Sequence, residues 1–221
     1  MDSRFHQELE QLRVTILKMA NLTEKAVENA FRALWERDVQ LADAIIARDH
    51  EIDQLEMEID RIILRLLALD QPMARDLRFL VGCMRISSDL ERIADQAVSI
   101  AHRARYLSTR PALPKDPALR DLTETSLDML HVTLSCFANL NVDQAMDVCL
   151  MDDAVDELNL LTLKNLMDYM IHEAPAIERG VQAIITARCM ERVADHCTNI
   201  AESVVFIVRG VNIKHHCEPF Q

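Results

Sequence analysis

Glycine is scarce in this chain, with 3 among 221 residues, and aromatic residues make up only 4%. With leucine, alanine, isoleucine, glutamate and arginine plentiful, these shortages leave an all-helical protein as the reading. No apolar run approaches the roughly 18 to 20 residues that a bilayer-spanning helix needs. The start, Met1-Asp2-Ser3-Arg4-Phe5, lacks the apolar stretch of a secretory leader, which sets the expectation of a cytoplasmic protein. The 6 cysteines, at 83, 136, 149, 189, 197 and 217, show no C-x-x-C spacing. Most fall in helical apolar patterns, so they are expected as reduced core thiols and not as a zinc site. His215-His216-Cys217 offers metal donors but reads as a solvated tail. A Gly-rich phosphate loop and a nucleophile–base pair are both missing, which argues against a phosphatase or an ATPase. A basic stripe is missing too, and the formal charge is −12. Such a surface repels nucleic-acid backbones and attracts cations or basic partner faces.

What is present is periodicity. Half of the residues are apolar, and between the prolines they recur at spacings of three and four, as on one face of a helix. Stripes run from about Phe5 to Trp35, Val39 to Leu69, Leu77 to Leu107, Ala118 to Leu140, Asp143 to Ile171 and Val181 to Val208. Proline is tolerated at a helix start and not inside one, so Pro72, the cluster Pro111, Pro114 and Pro117, and Pro175 mark boundaries. Asp116-Pro117 reads as an N-cap followed by the first helical residue. Segments of about 30 residues make helices about 45 Å long, which suits up-and-down bundles. The expected organisation is two tandem three-helix bundles related by internal pseudo-twofold symmetry. The first covers 1–108 and the second 117–211, with a linker at 109–116 and a tail at 212–221.

An internal repeat supports that division. Leu90-Glu91-Arg92-Ile93-Ala94-Asp95 returns as Met190-Glu191-Arg192-Val193-Ala194-Asp195, one hundred positions on. Asp49 and Asp53 correspond to Asp152 and Asp156 at an offset of 103, which predicts a tighter turn at Pro175 than at Pro72. Each pair is spaced by four, so its carboxylates leave one helix face, about 40° apart around the axis. If the chain folds back at Pro72, Asp49 and Asp53 come level with Asp95 and Glu91. Folding back just before Pro175 sets Asp152 and Asp156 level with Asp195 and Glu191. Four carboxylates at one level repel each other and raise each other's pKa unless a cation joins them. Oxygen-only donors favour Mg²⁺, Ca²⁺, Mn²⁺ or iron over zinc. The small Ala94, Ala97 and Ala194 would let a metal or a second helix approach. Arg92 and Arg192 are the alternative internal counter-ions.

Gln71-Pro72-Met73-Ala74-Arg75-Asp76-Leu77-Arg78, followed by Asp89-Leu90-Glu91-Arg92-Ile93-Ala94-Asp95, resembles the PhoU family of phosphate-transport regulatory proteins. So does Met190 through Glu202, and the resemblance extends over about Phe5 to Gly210. It implies a cytoplasmic, usually homodimeric regulator that restrains the phosphate ABC transporter and a sensor histidine kinase. Contact with the transporter would run through its nucleotide-binding subunit, and with the membrane only peripherally through partners. It further implies multinuclear iron, Mn²⁺ or Mg²⁺ on E/D-x-x-x-D motifs. Carried over, these are Asp49, Asp53, Glu91 and Asp95, and Asp152, Asp156, Glu191 and Asp195. Ala94 and Ala194 stand where many members have glycine. Asn141 against Asp38, and Ser99 against Asn199, make the two sites unequal.

Two other readings compete with this one. A metal-free acidic adaptor would bind basic partner faces. A carboxylate-bridged di-iron enzyme would need Glu-x-x-His on two helices, and the nearest sequence is a lone Asp128-Met129-Leu130-His131. Arg75 and Arg78 are candidate partner contacts, together with Arg92 and Arg192, although the start of the third helix also needs capping and solubilising groups. Glu24 and Glu28 are candidates to complete a metal shell from the first helix. Trp35 and the 11 methionines are expected as core fillers.

Overall fold

A computed structural model of the chain describes residues 3–213. The candidate tail donors His215, His216 and Cys217 lie outside the described residues. Six long helices follow one another: α1 (Ser3–Glu36), α2 (Val39–Asp70), α3 (Ala74–Ser108), α4 (Pro117–Asn139), α5 (Val142–His172) and α6 (Ile177–Arg209). A 3-10 turn, Ala174–Ala176, precedes α6. There are no strands among the described residues.

The helix boundaries have local causes. Asp116 caps α4 by accepting from the Ala118 amide at 3.1 Å, with Pro117 in the first turn. Asp38 caps α2 through the Leu41 amide at 3.0 Å, and Asn141 caps α5 through the Asp143 and Gln144 amides. The Asp38/Asn141 difference therefore changes a helix cap and not an acidic site, contrary to its reading as a source of site inequality. Gly210 ends α6 in the left-handed conformation at φ 73°. The second link is not the tighter one, contrary to the expectation from the offsets. Residues 71–73 join α2 to α3, and residues 173–176, which include the 3-10 turn, join α5 to α6; the smaller spacing of the second half comes from shorter helical arms between its acidic residues and the link.

Each half is an antiparallel three-helix bundle, α1–α3 and α4–α6, as the repeat requires. Within each half all three helices pack on one another, and the halves join through α3 on α6 and α1 on α4. One continuous apolar cluster runs through both halves, from Leu12, Ile16 and Met19 through Leu90, Ile93 and Ile100 to Val193, Ile200 and Val204. α3 and α6 lie at its centre and carry the longest runs of buried residues. Their close approach is set by Gly82, where a Cβ would run into the Ile207 side chain. The buried Ala94, Ala97, Ala101, Ala194 and Ala201 keep the remaining surfaces thin. Five cysteines, 83, 136, 149, 189 and 197, are buried and form no disulfide among the described residues, as expected of core thiols.

Not every apolar residue goes inward. Trp35 is 43% exposed and borders the linker-side cleft with Leu34, Arg37 and Pro111. Met57, Met73 and Met167 are also exposed, so the core-filler reading fails for these four residues. Helical period alone marks a stripe; it does not say how wide a face the neighbouring helices cover.

Candidate metal centre and the seam between the halves

The repeat's acidic residues meet as the folded-back hairpins require. In the first half, Asp49 interacts with Asp53 and Asp95, and Glu91 with Asp95, Glu56 and Asp53. In the second, Asp152 interacts with Asp195 and Asp156, and Glu191 with the same two. Burial against the neighbouring helix pushes the carboxyls of Asp49, Glu91, Asp152, Glu191 and Asp195 above the usual range. Carboxylate repulsion adds to the rise. The Thr198 hydroxyl, donating to Asp152 at 3.3 Å, works the other way.

The donor chemistry is that of a hard-cation site: oxygen ligands crowded enough to resist ionising together. The side chains are not yet gathered into one. Among the described residues no three His, Cys, Asp or Glu groups converge as a metal shell. Arginines hold several of them instead. Arg92 lies 3.4 Å from both Glu91 and Asp95, and Arg188 lies 3.2 Å from Glu191. An ion would have to displace these contacts by side-chain rotation, with the helix backbones left in place. The donors fit in kind and level. Their final aim would be set by the ion.

The two levels are unequal for a reason that a motif search passes over. Glu56 belongs to the first level, its pKa raised by burial and by Asp60, Asp53 and Asp95. The matching residue of α5 is Asn159, which is buried, with an Oδ1 that has no hydrogen-bond partner among the described residues. The signal was present in the sequence: Asp49, Asp53, Glu56 and Asp60 follow i, i+4, i+7, i+11 along one face of α2.

The levels also differ in what lies beside them. Asp49 and Ala94 border a cavity of about 160 Å³ between α1, α2 and α3, together with Lys25 and Arg48. Asp152 and Asp195 open onto a larger cleft of about 900 Å³ along the α3–α6 seam, and Asp95, Arg92 and Arg192 share it. Acids from both halves thus line one cleft, which the separation into two sites did not foresee. Antiparallel register explains it. Gly82 meets Ile207 and Asp89 meets His196, so Arg92 and Asp95 fall level with Asp195 and Arg192.

The seam is locked by a polar contact just beside this cleft. His196 Nδ1 lies 2.9 Å from Asp89 Oδ1, and the Asn199 amide donates to the same oxygen at 3.3 Å. Asn199 therefore takes part in the seam, while also lining the cleft with Asp152 and Asp195. Replacing Asp89 by alanine removes the acceptor for both partners. It is expected to cost about 1–3 kcal/mol in urea unfolding, and Asp89→Asn, which keeps an acceptor, is expected to cost less.

Other expected site residues have structural partners. Glu24 and Glu28 do not reach the acidic level: they meet His131 of α4 at 3.4 and 3.2 Å, across the α1–α4 contact. That contact also accounts for His131, the lone histidine of the di-iron alternative. Arg78 lies against Gly210 at the C-terminal end of α6, where a cation suits the helix dipole. Arg75 remains exposed at the start of α3.

Duplicated antiparallel bundles, with an acidic level in each half and a charged seam between them, define an all-helical protein built by internal repetition. A family model described as the PhoU domain matches twice, over residues 16–104 and 119–204. The chain is 36% identical over 216 residues to the phosphate-specific transport system accessory protein PhoU homolog of Pseudomonas aeruginosa, covering 97% of this chain and 89% of that protein. It is 30% identical over 215 residues to the accessory protein PhoU of Escherichia coli, with the same two coverages, 97% and 89%. A crystal structure of PhoU from P. aeruginosa superposes with a TM-score of 0.91 at 36% identity, over 94% of this chain and all of that one. The phosphate transport system regulatory protein PhoU of Streptococcus pneumoniae gives 0.86 at 30% identity, over 94% of this chain and 98% of that one. The chain belongs to the PhoU family.

Proposed function

We propose that this protein is a regulator of phosphate uptake and of the phosphate-starvation response. It acts by contact with a phosphate ABC transporter and a sensor histidine kinase on the cytoplasmic face of the membrane. In this reading it works as a homodimer, holds metal ions at its two acidic levels and catalyses no reaction. Kinship over 97% of this chain with proteins named as accessory to phosphate-specific transport supports the role. The observation that carries the metal is the pair of matched levels, in which burial and mutual repulsion raise the carboxyls of both halves. Mn²⁺, Mg²⁺ or iron would relieve that repulsion and clamp α2 to α3 and α5 to α6. Among the described residues no helix is long and apolar enough to cross a membrane, so membrane attachment would come through partners.

One observation favours a metal-free adaptor as the second reading: Arg92 and Arg188 already neutralise part of each level. A single preparation separates the two. The full chain, purified without chelator, is assayed for bound metal and then for capture of the transporter's nucleotide-binding subunit, with and without phosphate. Metal that EDTA removes, with capture that depends on it, is the expected result. Capture without metal selects the adaptor, and no capture under either phosphate condition overturns the regulatory function.

A further inference from the structure

The outer faces of α2 and α5 carry an apolar pattern that neither the core nor the acidic levels use. On α2, Met57 and Leu64 are 63% and 60% exposed, and with Arg61 and Ala68 they follow i, i+4, i+7, i+11 along one face. On α5, Leu160, Met167 and Ile171 are 67%, 49% and 76% exposed, and with Lys164 they take the same spacing. The repeat relates the two ridges residue by residue: Met57 to Leu160, Arg61 to Lys164, Leu64 to Met167 and Ala68 to Ile171. A single exposed leucine is ordinary. The same stripe at the same register of two helices, each with a cation at its centre, is a duplicated surface.

Nothing within the described chain covers either ridge. α2 packs only on α1 and α3, and α5 only on α4, α6 and the 3-10 turn. Neither Arg61 nor Lys164 has an acidic partner among the described residues, whereas Arg65, next along α2, pairs with Glu8 at 2.9 Å.

Charge selects the occupant. A second copy docking ridge to ridge would bring cation against cation. An anionic lipid surface would meet the exposed acids that flank the ridges, Glu51 and Glu58 on α2 and Asp153, Asp156 and Glu157 on α5. The complementary surface is an amphipathic protein helix whose apolar side chains flank a carboxylate. We infer that the Met57–Ala68 and Leu160–Ile171 ridges are two equivalent docking surfaces for such a helix, presented by a twofold-symmetric pair of partner subunits. A partner with its own twofold meets both ridges through the same contact made twice. The inference rests on the proposed function for the partner's identity, the nucleotide-binding subunit of the phosphate transporter.

The test is calorimetric titration of the full chain with that purified subunit. Leu64→Glu and Met167→Glu, singly and together, are compared with the charge reversal Arg61→Glu/Lys164→Glu. Thermal melts check folding, which these exposed positions should leave unchanged. Each single ridge variant and the charge reversal are expected to weaken binding by about tenfold, and the ridge double variant to abolish it through loss of both contacts. Wild-type binding that every variant retains overturns the ridges and leaves the regulatory function standing. A wild type that does not bind the subunit overturns both. Two further results reassign the ridges and overturn the inference. One is loss of self-association in the variants with subunit binding intact. The other is wild-type binding to phosphatidylglycerol vesicles that the variants lose.

Discussion

Asp152→Asn combined with Asp195→Asn is expected to raise the melting temperature of the metal-free protein and to abolish its stabilisation by Mn²⁺. Both carboxyls are pushed up by burial and by neighbouring acids, so neutral amides relieve a repulsion that the ionised pair carries. The side chains remain partly solvated, which holds the gain to about 1 kcal/mol, or roughly 2–4 °C for a chain of this size. The loss on the metal side is larger. A site filled at a hundredfold excess over its Kd stabilises by about 2.7 kcal/mol, and the variant has lost two of the ligands that would hold the ion. The pH dependence has a fixed sign. A carboxyl whose folded pKa exceeds its unfolded value of about 4 binds more protons folded than unfolded, so stability rises as pH falls through the folded pKa. In EDTA these carboxyls should therefore add stability to the wild type as pH falls toward their folded pKa, and the double variant should show a flatter slope of melting temperature against pH. Equal melting of the two proteins in EDTA, with no response of either to Mn²⁺, would sink the metal assignment.

The second large effect is at the seam. Gly82→Leu places a side chain where Cγ1 and Cδ1 of Ile207 lie, on the face that α3 turns to α6. Overpacking of this kind typically costs about 1–3 kcal/mol, and a wedge between the two central helices should fall at the upper end. Ile207→Ala added to it is expected to recover part of the loss, although alone it is destabilising because it opens a cavity. Thermal melts of the four proteins measure that coupling directly. Additive losses would mean that the two residues do not share the space.

Helix content, helix ends and hairpin pairing were legible because each depends on residues close in sequence. Pro72 and Pro175 interrupt the stripes, Asp116-Pro117 forms a cap, and α1 ends at Glu36, one residue beyond Trp35. The acidic levels were legible for the same reason: a hairpin with a short link has only one way to fold back. Glu56 was legible and missed, since a search for pairs spaced by four passes over a third acid at i+7. Trp35, Met57, Met73 and Met167 were misplaced because an apolar residue at helical spacing looks the same whether or not a neighbour covers it. Glu24 and Glu28 were misassigned because their partner, His131, lies in the other half.

By itself, the sequence determined six helices, a duplicated bundle and four carboxylates level in each half, because periodicity, caps and short links act locally. Only the tertiary structure decided how the halves meet. The α3–α6 register depends on Gly82 against Ile207 and Asp89 against His196, contacts between residues more than a hundred positions apart. That register brings Asp95, Arg92, Asp195 and Arg192 around one cleft and leaves the outer faces of α2 and α5 uncovered. No local rule contains it, since it comes from the shape of two assembled surfaces.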